Sequence, residues 1–124
     1  MDEITVKALE TIEPYRGPHE IDGIRFRPAA AALGVSAWGM NVLEIDAGCE
    51  AYPEHDHVKD GQEEVYLVLR GSMQLRVGEA SHALATGSFV RVPPGVTRKL
   101  LPGPQGVVVL AIGGTPGQAY ASPW

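Results

Sequence analysis

Apolar residues fall in short runs cut off by glycine or proline, and the alternation within several of those runs has the period of a β-strand. Residues 4–12 form a first predicted strand. Residues 23–27, Gly-Ile-Arg-Phe-Arg, alternate apolar and basic side chains as a half-exposed strand does, and residues 38–45 form the next strand, ended by Asp46-Ala47-Gly48. Between them, residues 28–34 predict the one helix: Pro28 starts it, Ala29 to Ala32 propagate it and Gly34 stops it. At about two turns it is too short to be stable without packing. The centre is clearer. Residues 64–69 read as a strand closed by Arg70-Gly71-Ser72, and residues 73–77 follow and are turned by Gly78-Glu79-Ala80. Residues 81–85, then 88–92 up to Pro93-Pro94-Gly95, then 96–101 and 107–112 complete the set. Residues 113–124, rich in Gly, Pro and Ala, read as an extended tail lying on the surface or on a partner. The pattern predicts an all-β sandwich or barrel with one short helix at most, and closing the sheet would remove its sticky edges.

Composition narrows this reading. The chain has 124 residues, enough for one domain covering 1–124, and 44% of them are hydrophobic, so a real core can be buried. The net charge is −5 and the ten Lys and Arg residues are scattered. No basic patch is available to neutralise phosphates, which argues against nucleic acid and anionic membranes as partners. No run reaches the ~18 apolar residues that span a bilayer, and the acidic start, Met1-Asp2-Glu3, is not that of a signal peptide. A lone cysteine, Cys49, leaves no intramolecular disulfide and no cysteine-based zinc site. A soluble, cytoplasmic protein is expected.

The sharpest local feature is His55-Asp56-His57. On an extended chain the two imidazoles point to one face, roughly 6–7 Å apart, and Asp56 points to the other. After six intervening residues, which include a polar turn sequence, Lys59-Asp60-Gly61-Gln62, stands Glu64. A hairpin there would bring Glu64 back opposite the histidines. Two imidazoles and a carboxylate on neighbouring strands form a facial triad suited to Fe(II), Mn, Ni, Co or Zn, with positions left open for water or substrate. A His-x-His pair alone is more often only a polar surface face.

The spacing of these residues resembles the first motif of the cupin superfamily, a Gly, His-x-His, a Glu, six residues and a Gly: here Gly48, His55, His57, Glu64 and Gly71. The second motif, Gly, five residues, Pro-x-Gly, two residues and His, is matched by Gly87, Pro93-Pro94-Gly95 and then Arg98. The motifs occupy about 48–71 and 87–98. The resemblance to small RmlC-like cupins implies a jelly-roll barrel (a double-stranded β-helix), commonly dimeric, with its site inside the barrel mouth and with His55, His57 and Glu64 as metal ligands. The gaps from Gly48 to His55 and from His57 to Glu64 are longer than usual, which loops tolerate. The larger departure is Arg98 in place of the fourth ligand. A guanidinium cannot ligate a metal and stays protonated. Either three ligands hold the ion while Arg98 grips an anionic substrate group through its bidentate fork, or the metal is lost and Arg98 pairs with Glu64 in a non-catalytic pocket for a small ligand. The first reading implies an enzyme of oxygenase, decarboxylase, isomerase or cyclase type acting on a small organic molecule.

Neighbouring residues have plainer expected roles. Tyr52 could reach the site as a hydrogen-bond donor, though packing at the barrel rim explains it as well. Tyr66 shares parity with Glu64 and faces inward. Gln62, Glu63, His19 and His82 are expected at the surface, Cys49 as a small buried residue, and Trp38 and Phe89 in the core or a dimer contact.

Overall fold

The computed structural model describes residues 3–121. Six strands carry the fold: β1 (Ile24–Arg27), β2 (Gly39–Ile45), β3 (Glu63–Val77), β4 (Ala80–Leu84), β5 (Phe89–Val92) and β6 (Lys99–Gly114). One five-residue helix, α1 (Ala29–Leu33), lies between β1 and β2. It ends as its sequence predicts, on Gly34 in the left-handed region (φ 82°), whose N–H bonds back to the last turn. All strand pairs are antiparallel.

Two predicted turns are bends inside longer strands. Arg70-Gly71-Ser72 does not end a strand: β3 runs through it with register shifts at Val68/Arg70 and Gly71/Met73. The predicted strands 96–101 and 107–112 likewise join in β6 across Pro102 to Gly106. The reason is a close approach. Gly71 has φ +74°, and a Cβ there would stand 2.2 Å from the Gly106 carbonyl oxygen. Only a residue without a side chain lets the two strands cross so tightly.

The bend folds one sheet into two layers. The first half of β3 pairs with β5 and with the end of β6, which continues into β2 and β1. The second half of β3 pairs with β4 and with the start of β6. Between the layers lies the main core of Leu43, Ile45, Tyr66, Val68, Met73, Leu75, Val92, Leu100, Val107, Val109 and Ala111. Burying each large apolar side chain contributes about 1.5–3 kcal/mol. This is the all-β barrel that the pattern predicts.

A smaller cluster of Ile12, Ala29 and Val42 packs on the outer face of the five-stranded layer. It holds the N-terminal segment, which is not the predicted strand: residues 4–12 contain only a 3-10 turn, Leu9–Thr11. Arg27 fastens this segment by donating to the Ile12 carbonyl at 2.7 Å while its other nitrogens reach Glu44. Trp38 (45% exposed) and Phe89 (71%) lie on the outside rather than in the core. Of the tail, residues 122–124, including Trp124, lie outside the described residues. Among the described residues, no helix is long and apolar enough to cross a membrane.

Candidate metal and ligand site

The His-x-His segment is extended, as its alternation predicts, but it is not one arm of a hairpin with Glu64. The His55 N–H donates to the Arg98 carbonyl at 3.0 Å and the Arg98 N–H to the His55 carbonyl at 2.8 Å, an isolated antiparallel bridge. The His57 N–H donates to the Pro94 carbonyl at 2.9 Å. Glu64 instead pairs in register with Val92 and Gly113. The two motifs therefore meet through backbone bonds. The histidines hang on the edge of the layer that begins at Arg98, and the carboxylate rises from the other layer. Lys99 steadies the approach by donating from Nζ to the Glu50 and Tyr52 carbonyls. Asp56 points away, accepting from the Val58 N–H.

Both rings are held by their Nδ1 atoms. His57 Nδ1 lies 3.1 Å and 3.2 Å from the two oxygens of Asp60, and His55 Nδ1 lies 3.0 Å from the Pro53 carbonyl oxygen. An ionised carboxylate and a carbonyl can only accept, so each Nδ1 carries the hydrogen. In the neutral ring this leaves both Nε2 lone pairs aimed inward. They stand 3.9 Å (His55) and 3.6 Å (His57) from Glu64 Oε1. His57 Nε2 is buried and has no hydrogen-bond partner. The three side chains offer ligand atoms all within 4.8 Å of one another.

The electrostatics follow from this crowding. Burial pushes Glu64 up, but the adjacent His55 imidazole, the hydrogen bond from Tyr66 and the positive field of Arg98 outweigh it, and the carboxyl is held below its ordinary value. Tyr66, 1% exposed, donates its hydroxyl to Glu64 Oε1 at 2.5 Å. Burial, with the Glu64 charge adding to it, pushes this phenol far up, so it stays a donor. The Glu64 carboxylate raises the His55 imidazole above its ordinary value against the opposing effect of burial. Two imidazole lone pairs facing one carboxylate are repulsive unless a proton or a cation lies between them. A buried, unpartnered Nε2 on a ring oriented by a carboxylate is what a metal ligand requires, and the donor set fits a divalent transition ion.

Arg98 is fully buried. Its Nη1 donates to the Val96 carbonyl at 3.0 Å, and Nη2 stands 3.6 Å from Glu64 Oε1, close enough for an ion pair but without a hydrogen bond. Nε and Nη2 have no acceptor. Tyr52 makes an edge-on contact with the His55 ring, centroids 5.8 Å apart, and burial pushes its phenol up.

Some neighbours differ from expectation. Gln62 is buried (7% exposed) rather than at the surface, beside a solvent-facing Glu63 that pairs with Arg91. Cys49 is only half-buried. Asp60, unremarked in the sequence, is the residue that orients His57; its only sequence signal is its place three residues downstream in a turn.

A barrel folded from one bent antiparallel sheet, with two imidazoles and a carboxylate at its mouth, defines the class. The cupin domain model matches residues 41–113, more than half of the chain, and the chain belongs to that family. No curated protein matches it. Solved structures with the same fold include a sugar phosphate isomerase of the cupin superfamily from Silicibacter pomeroyi, at 22% identity and TM-score 0.74, covering 97% of this chain and 83% of that one. A predicted oxalate decarboxylase from Thermotoga maritima is 17% identical, with TM-score 0.69 and coverage of 88% and 97%. An RmlC-like cupin from Shewanella frigidimarina is 20% identical, with TM-score 0.67 and coverage of 86% on both sides. At these identities the likeness concerns the fold alone.

Proposed function

We propose that this cupin is a metal-dependent enzyme for a small anionic organic molecule, with His55, His57 and Glu64 holding a divalent transition ion and Arg98 holding the anion. The observation that carries this reading is the pair of Nδ1-anchored imidazoles whose Nε2 atoms face Glu64, one of them buried and unpartnered. Such an ion supplies Lewis acidity toward a substrate oxygen. The chain's own groups do the rest. Tyr66 keeps Glu64 ionised and oriented, Asp60 fixes His57, and Tyr52 packs against His55 with a neutral phenol as a donor near the ligand.

Arg98 decides the substrate's charge. Without an ion, Glu64 and Arg98 cancel. With a dication the buried site would carry a net charge of about +2, and the ion would be repelled by the buried guanidinium beside it. An anionic group beside Arg98 offsets that repulsion and satisfies the unpaired Nε and Nη2 donors. Metal and anion therefore support each other's binding. The test is elemental analysis of untagged protein purified without chelators, followed by titration with Fe(II), Mn, Ni, Co and Zn. Near-stoichiometric metal that His57→Ala abolishes is expected; wild-type protein binding none of the five would refute the reading.

A second reading has one specific observation in its favour. The Arg98–Glu64 approach at 3.6 Å suits a metal-free pocket that binds a small ligand without catalysis. That reading requires ligand binding undiminished by exhaustive chelation. A homodimer is proposed as well, through the outer face where Leu69 (42% exposed) and Phe89 are uncovered. Phe89→Asp should convert a dimer to a monomer in light scattering, and a monomeric wild type would dismiss it.

A further inference from the structure

Three strands meet in register at the level of Glu64. Glu64 pairs with Gly113, and Gly113 pairs with Gly39. All three face inward, because they share the parity of Tyr66, Ala111, Leu43 and Ile45, which line the core. Two glycines side by side in the metal layer leave bare backbone where any other residue would fill the mouth. Neither has a left-handed backbone, so conformational need does not explain them. Both bare spots are covered by polar side chains from other segments. A Cβ on Gly113 would lie 2.8 Å from Gln62 Oε1, and a Cβ on Gly39 would lie 2.8 Å from the Tyr120 hydroxyl and 3.1 Å from its ring.

Gln62 and Tyr120 come from different segments of the chain. Gln62 follows the turn that orients His57, and its N–H donates to Asp60 Oδ1. Tyr120 belongs to the segment after β6, which is tied to the same turn by Thr115 Oγ1 donating to the Asp60 carbonyl at 2.7 Å. That segment crosses the mouth from Asp60 to Gly39. Gln62 is nine-tenths buried as a residue, and its side-chain oxygen lies against the bare backbone of Gly113. A neutral amide so placed can both donate to and accept from a ligand at the mouth. Gly39 stands two strand spacings from Glu64, about 10 Å across the sheet. That is the length of a small organic molecule with an anionic group at one end.

We infer that Gln62 and Tyr120, seated on the Gly39–Gly113 platform, form a neutral subsite that recognises hydroxyl groups on the ligand whose anionic end lies at Arg98. The amide and the phenol can each donate and accept, which complements hydroxyls and adds no charge to a site that already carries Glu64 and Arg98. The inference rests on the anionic-ligand reading above. The ligand class is a polyhydroxylated chain bearing one phosphate or carboxylate.

The full chain is titrated calorimetrically with two probes, methyl phosphate and glycerol 1-phosphate, which share the anion and differ in hydroxyls. Wild-type protein is expected to prefer glycerol 1-phosphate by about 10-fold or more, one or two hydrogen bonds' worth. Gln62→Leu and Tyr120→Phe should each cut that preference about 3- to 10-fold and leave methyl phosphate binding unchanged. Gly113→Ala, which displaces Gln62 and deletes no polar group, should do the same. In ¹⁵N spectra the Gln62 side-chain amide should shift with glycerol 1-phosphate and not with methyl phosphate, and the same spectra report folding of each variant. Equal affinity for both probes in wild-type protein, or a preference untouched by all three substitutions, overturns the subsite. Binding of neither probe overturns the anionic reading itself, and the subsite with it.

Discussion

Asp60→Ala isolates the orientation of one ligand from the ligand itself. In the native chain both oxygens of Asp60 lie within 3.2 Å of His57 Nδ1, so the imidazole is fixed in rotation and in tautomer. Removing the carboxylate frees the ring to turn and lets the hydrogen move to Nε2, the atom that must offer a lone pair. Loss of such an orienting partner weakens metal binding about 10- to 100-fold, or about 1.4–2.7 kcal/mol. Asp60→Asn should recover part of this, because its amide oxygen still accepts from Nδ1–H. Asp60 also caps the turn through the Gln62 N–H, so a melting temperature for each variant belongs beside the affinity. The assay is competition for Zn²⁺ or Mn²⁺ against a chromophoric chelator, with His57→Ala as the limiting case. Wild-type affinity in a folded Asp60→Ala protein, alongside its loss in His57→Ala, would refute the reasoning that Asp60 acts through the ring.

Three further outcomes follow from the geometry. Arg98→His replaces the buried cation with a potential fourth ligand, so metal affinity should rise by at least 10-fold while binding of anions falls; unchanged metal affinity would mean that residue 98 does not face the ion. Burial pushes Glu44 up, but hydrogen bonds from Arg25 and Arg27 outweigh it and hold the carboxyl below its ordinary value. A depressed carboxylate stabilises the fold above its unfolded-state pKa and loses that contribution as pH falls through the folded value. Melting curves should therefore drop more steeply below pH ~4.5 for wild type than for Glu44→Gln, and parallel curves would contradict the pairing. Gly71→Ala should cost at least ~3 kcal/mol in urea unfolding, since it adds a left-handed alanine to a collision with the Gly106 carbonyl; a loss under ~1 kcal/mol would mean the bend relaxes freely.

Most of the strands were legible because their inner faces alternate: Tyr66 and Val68 in β3, and Val107, Val109 and Ala111 in β6, all point into one core. What the pattern could not convey was continuity. Gly71 and the Pro102-to-Gly106 stretch carry the same local signals whether a strand stops or bends, and the outcome is set by a partner strand far away in sequence. Residues 4–12 join no strand; they hold a 3-10 turn, and Arg27 binds the Ile12 carbonyl. At the site, His55, His57 and Glu64 were readable from type and spacing, and the structure brings them together. Their supports were not, because Asp60, the Pro53 carbonyl and the burial of Gln62 depend on how the loop from Gly48 to Gln62 folds. Phe89 shows the same limit from outside: an aromatic residue on a strand has two faces to choose from, and here it takes the outer one.

The bent sheet has one more consequence. His55 hangs from the layer that starts at Arg98, whereas Glu64 belongs to the opposite layer, so an ion shared by them would act as a rivet across the seam of the barrel. Occupancy then becomes a mechanical property of the whole molecule: at a hundredfold excess over its dissociation constant such a rivet adds about 2.7 kcal/mol against unfolding. Resistance to proteolysis would track how well the metal is supplied, and the level of intact protein would itself register whether the ion is there.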